Sequence, residues 1–144
     1  MCGWGQTLSI TRGTGAPGGV ASLVLSLQFP SGRQPVALQW ELSYPAAQLG
    51  TGDNDLQPAQ AATASGKSLT CAGRPKDAGT YLYRCILAGG KAGIGMGAIA
   101  TVKFQIRARA RSGAAAVRVS NAVAVYPDGK QSKLEPVQAD VTIR

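Results

Sequence analysis

The sequence predicts an all-β chain: a two-sheet antiparallel β-sandwich with jelly-roll topology and about nine strands. Three observations predict it. Two-residue alternation of apolar and polar residues recurs along most of the 144-residue chain, as strands with one buried and one wet face require. Glycine is abundant at 19 residues, whereas aromatics make up only 6%, a composition that suits many strands joined by turns. Helix-period patterning is nearly absent. The length suits one domain with a substantial core, so residues 1–144 read as a single domain, with residues 1–6 a disordered or expression-derived N-terminus.

The elements follow in order. Leu8 and Ile10 alternate with Thr7, Ser9 and Thr11 in a first strand. Gly13 to Gly19 is a turn-rich connection. Ala21, Leu23, Leu25, Leu27 and Phe29 form the apolar face of a second strand, ended by Pro30-Ser-Gly32. The clearest alternation is Val36–Tyr44, with Leu38, Trp40 and Leu42 on the apolar face. Pro45 to Gln60 reads as a loop with a short extended piece. Lys67–Ala72 and Thr80–Leu87 form a hairpin around Gly73–Gly79, and Ala88 to Gly97 is a glycine-dense loop. Ala98–Ala108 alternates cleanly, with Ala98, Ala100, Val102, Phe104 and Ile106 on one face. Val117, Val119, Val123 and Val125 define a further strand that ends at the turn Tyr126-Pro-Asp-Gly129. Val137, Ala139, Val141 and Ile143 form the last.

Composition removes several chemistries. The chain has no histidine, which excludes Ser-His-Asp and Cys-His catalysis and every histidine-ligated metal centre. Its acids are few: Glu41, Asp53, Asp55, Asp77, Asp128, Glu135 and Asp140. No catalytic residue and no metal ligand set is assigned. A net charge of +8 favours anionic partners such as acidic proteins, polyanionic glycans or membrane surfaces. No apolar run reaches transmembrane length, and Met1-Cys-Gly-Trp4 lacks the basic-then-apolar pattern of a signal peptide.

Cys71 and Cys85 flank the hairpin turn and would face each other across two strands. They form either a disulfide, which implies an oxidising compartment, or two buried thiols. Cys2 is left over, as a lipidated N-terminus, an expression remnant or a free thiol.

Four segments together resemble the cohesin family. Val36–Tyr44 followed by Leu49 resembles the third cohesin strand, and Gly15-Ala-Pro-Gly18 the approach to its second. Gly97–Ile106 resembles the family's Gly-x-Leu-Ala-x-Ile-x-Phe-x-Val, and Asn121 through Asp128-Gly129 to Ile143 its last two strands. The order and spacing agree from about Thr7 to the end. The resemblance implies a nine-stranded jelly-roll sandwich that is not an enzyme and that docks a calcium-binding dockerin-like module or other protein, in a secreted or cell-surface setting. Calcium would enter only through such a partner, and the protein itself needs no cofactor. This chain departs from the family in three places. Pro45 directly follows Tyr44, Ala37 and Gln39 stand where Asn and Asp are frequent, and the often acidic loop after strand six reads Ala88-Gly-Gly-Lys91.

The family's partner surface is the outward face of strands three, five, six and eight. Alternation assigns Ala37, Gln39, Glu41, Thr70, Ala72, Leu82, Arg84, Ile86, Arg118 and Ser120 to it. Leu82 and Ile86 then form an exposed apolar patch beside Arg84, suited to protein binding. The alternatives are a carbohydrate-binding module of related fold, which needs exposed aromatics such as Tyr81, Tyr83 or Trp4, and a structural spacer. Lys103, Arg107, Arg109 and Arg111 share one strand face as a basic stripe. No aromatic interleaves it, so nucleic acid is not expected. Gly93-Ile-Gly-Met-Gly-Ala98 precedes a strand rather than a helix, which excludes a dinucleotide loop. Asp53-Asn-Asp55 offers oxygen ligands but reads as a solvent-facing loop.

Overall fold

A computed structural model describes residues 7–29 and 34–144. Trp4, Cys2, the N-terminal segment and the Pro30-Ser-Gly32 strand end lie outside the described residues. Twelve strands run in chain order: β1 (Thr7–Ile10), β2 (Gly13–Gly15), β3 (Val20–Gln28), β4 (Ala37–Pro45), β5 (Leu49–Gly50), β6 (Leu56–Pro58), β7 (Ser68–Pro75), β8 (Thr80–Ala88), β9 (Gly97–Ile106), β10 (Gly113–Val125), β11 (Gln131–Leu134) and β12 (Val137–Ile143). Among the described residues, a 3-10 turn (Asp53–Asp55) and one short helix, α1 (Gln60–Ala64), interrupt them.

One sheet has the order β1-β3-β9-β5, with β6 also pairing β9; the other runs β2-β12-β10-β4-β8-β7, with β11 beside β10. The sheets pack face to face as the predicted jelly-roll sandwich. The core fills the space between them: Leu23, Leu25, Leu27, Val102 and Phe104 from one sheet meet Leu38, Trp40, Leu42, Cys85, Leu87, Val117 and Val119 from the other. Trp40 is core, as its place in the alternation requires. Burying side chains of this size contributes roughly 1.5–3 kcal/mol each, and this inward stripe fixes which face of each strand meets water.

Several elements depart from the sequence reading, each for a local reason. Gly13–Gly15, read as part of a turn, is a strand parallel to β12, so the sandwich is antiparallel apart from this pair. The 45–60 loop holds two short strands and continues into α1. Elements of two to five residues carry too few positions for periodicity to register.

Phase also shifts within two strands. Leu25 of β3 pairs Ala100, but the next residue, Ser26, pairs Ala98, leaving Ile99 as an extra, fully buried residue of β9. In β10 the register breaks between Ser120 and Val123, where Asn121 adopts φ 51°. Asparagine tolerates this left-handed conformation better than most residues. The bulge re-aims the strand, so Ala122 and Ala124 point into the core and Val123 and Val125 are only half-buried. The four valines therefore do not share a face.

Lys67 is buried, and its Nζ donates to Gly89 O at 2.6 Å. Burial pulls its ammonium pKa down. This contact ties the β8–β9 loop to the segment after α1.

Candidate functional site

The four strands carrying the expected partner surface are consecutive neighbours, in the order β10-β4-β8-β7. Pairing aligns their outward residues in rows. Val123, Gln39, Ile86 and Thr70 form one row, and Ser120, Glu41, Arg84 and Ala72 the next. Arg118, Ser43, Leu82 and Arg74 form a third, while Ala37 lies at the end of β4 opposite Val125. Nine of the ten expected residues are exposed or half-buried; Leu82 is the tenth.

Leu82 is only 4% exposed, whereas Ile86 is 44% exposed. The strand's parity holds, since Cys85 and Leu87 point inward. Leu82 therefore stands on the outer side of the strand and is nonetheless buried. Its row contains Arg74 and, beyond the equally buried Ser43, Arg118. The expected Leu82–Ile86 patch is thus reduced to Ile86.

Glu41 organises the middle row. Arg84 Nη2 donates to its Oε2 at 2.9 Å, and Asn121 Nδ2 donates to its Oε1 at 2.7 Å. Both carboxylate oxygens are held, and the side chain is 14% exposed against 59% for Arg84. The bonds from Arg84 and then Asn121 lower the Glu41 pKa. The bulge at Asn121 turns that amide toward β4, so a backbone irregularity and a charged bracket form one unit. Beside it lies a groove of about 530 Å³, lined by Gln39, Glu41, Arg84, Arg118, Ser120, Asn121 and, from β11, Lys133 and Leu134. Arg84, Arg118 and Lys133 outnumber the engaged Glu41, so the groove is cationic.

Asn121 and Lys133 were missed as site residues. The signal for Asn121 is a polar residue in an apolar slot of the β10 alternation. The four-residue β11 offers no comparable sign for Lys133.

Other expected sites do not assemble. The strand β9 ends at Ile106, so of the basic stripe only Lys103 lies on it. Arg107 turns away, its Nε donating to Ala46 O at 3.3 Å, and Ala110 N–H donates to Arg107 O in the turn that follows. Tyr83 is buried, Tyr81 packs against the core, and the two rings meet at a tilt of 54° with centroids 5.5 Å apart. Neither is a sugar platform; among the described residues every aromatic ring is buried or half-buried. Asp55 Oδ2 accepts from Gly52 N–H at 3.1 Å and closes its own turn. No group of three or more metal-ligating side chains occurs among the described residues. The Gly93–Ala98 segment inserts buried Ile94 and leads into β9. Cys71 and Cys85 are paired in register and disulfide-bonded.

The same arrangement of strands occurs in solved structures. The sixth cohesin of scaffoldin B from Acetivibrio cellulolyticus, solved in complex with a dockerin, superposes with TM-score 0.76 at 18% identity, covering 97% of this chain and 99% of that one. A cohesin from a type I cohesin–dockerin complex of Clostridium thermocellum gives 0.77 at 13% identity, over 96% and 99%. The chain has the cohesin fold. The non-cellulosomal cohesin of the archaeon Archaeoglobus fulgidus matches as well, with TM-score 0.69, 15% identity, and 96% and 91% coverage. No protein-family model matches the chain, and no curated protein sequence matches it. The likeness to these structures is one of backbone fold, at 13–18% identity.

Proposed function

We propose that the chain is a non-catalytic protein-docking module that binds its partner on the outer face of β10, β4, β8 and β7. The observation that carries this reading is the preformed Arg84–Glu41–Asn121 bracket, set in a cationic groove next to exposed Ile86. A braced polar surface with one accessible apolar anchor needs little reordering on association. The neighbouring folds support the reading, since two of them were solved in dockerin complexes. The absence of histidine in the sequence favours a binding role over catalysis. The partner class is a dockerin-like module whose contacting surface is acidic, to complement Arg84, Arg118 and Lys133. The Cys71–Cys85 disulfide favours a secreted or cell-surface setting. No exposed described aromatic favours carbohydrate.

Calorimetric titration with a panel of dockerin modules, with and without calcium, tests this reading. The expected result is calcium-dependent binding that weakens with salt and is lost in Ile86→Asp. Binding that survives Ile86→Asp and Arg118→Glu, or specific glycan binding with no protein partner, would overturn it.

A further inference from the structure

β7 is an edge strand with eight residues, whereas the other described edge strands, β1, β2, β5, β6 and β11, have two to four. Short edges are one way proteins avoid strand-to-strand association. Between Ser68 and Gly73 this long edge carries no charge and no proline.

The hairpin register identifies which backbone groups are free. Lys76 N–H donates to Thr80 O at 2.8 Å, so hydrogen-bonded pairs recur at every second residue: Arg74, Ala72, Thr70 and Ser68 bond β8. Leu69, Cys71 and Gly73 occupy the intervening non-bonded pairs, consistent with 4.1 Å between the Cα atoms of Cys71 and Cys85. Their N–H and C=O groups point away from β8, and no backbone group among the described residues meets them. The disulfide holds this edge to the sheet, and a Cβ on Gly73 would lie 2.7 Å from the Tyr83 ring, so β7 is fixed in place.

We propose that β7 pairs antiparallel with β7 of a second copy of this chain, about a two-fold axis at Cys71. The register is self-complementary. Leu69 faces the partner's Gly73, Cys71 faces the partner's Cys71, and the donors and acceptors of all three positions are matched. Thr70 faces the partner's Ala72, and Arg74 faces the partner's Ser68, so no like charges stand opposite each other. The pairing stops where Pro75 lacks an N–H and where Lys67 N–H is already bonded to Ala62 O. Each copy carries +8, so added salt screens their repulsion and strengthens the dimer.

Sedimentation of the full chain over a concentration series, at low and high salt, reads the association. The expected result is a monomer–dimer equilibrium favoured by salt. Thr70→Lys with Ala72→Lys sets lysine against lysine twice, raising the dissociation constant about tenfold or more while the melting temperature stays within a few degrees. Hydrogen exchange on the unmodified protein supplies the second readout. The amides of Leu69, Cys71 and Gly73 gain protection with concentration, while those of Thr70, Ala72 and Arg74 are protected throughout. A monomer at every concentration, or a dimer whose Leu69, Cys71 and Gly73 amides still exchange freely, would overturn the proposal.

Discussion

Leu82 and Ile86 lie four residues apart on the same outward side of β8, yet one is buried and the other exposed. Their rows differ: Leu82 lies in the row of Arg74 and Arg118, while Ile86 lies between Gln39 and Thr70. Leu82→Asp would replace a buried apolar side chain with a carboxylate that must be desolvated and is expected to cost about 2 kcal/mol, seen as a clear fall in melting temperature. Ile86→Asp should leave the melting temperature nearly unchanged. Period-two reading identifies the side of a sheet a residue occupies; it does not reveal how much of that residue water reaches. Tyr44 gives a second residue-scale test. Burial and the neighbouring Tyr83 push its pKa to about 12. Since the folded value is raised, its contribution to stability is full below the unfolded value near pH 10 and is lost as pH rises from there toward about 12. Tyr44→Phe should flatten that alkaline loss in urea-unfolding curves measured across the window.

The long strands were legible and the short ones were not. β3, β4, β8 and β9 each present nine or ten residues, enough alternation to assign faces and to set Cys71 opposite Cys85. β2, β5, β6 and α1 present five or fewer and merge into glycine- and alanine-rich sequence. Bulges were the other hidden element, because one extra residue inverts every later side chain. At Asn121 the inversion moves Val123 and Val125 out of the core and brings the amide to Glu41. The β7–β8 hairpin is the element with the most direct stability test. Its disulfide closes a separation of 14 residues, so Cys71→Ser with Cys85→Ser should lower unfolding free energy by about 3 kcal/mol in the chain-entropy model, measured by denaturant titration. Tyr83 still covers Gly73 in that variant, so the hairpin register should survive.

At the scale of the whole molecule, the inward alternation builds the sandwich core, and the proposed docking face lies on the outward side of β10, β4, β8 and β7. These two parts of the sequence are separable. Identities of 13–18% with the solved cohesins described above suffice for the core, because apolar size and alternation specify it. A docking face is specified by individual charges and rows, which no periodicity encodes. That is why the alternation assigns residues to the outward side of the sheet but does not show the Asn121–Glu41 bond, Lys133 in the groove or a buried Leu82. The most direct measurement is NMR mapping of the isotopically labelled protein as a calcium-loaded dockerin module with an acidic surface is added. Chemical-shift changes are expected to cluster at Gln39, Glu41, Thr70, Ala72, Arg84, Ile86, Arg118 and Asn121. Changes clustered instead on the opposite sheet, at Ser22, Lys103 and Gln105, would contradict this expectation.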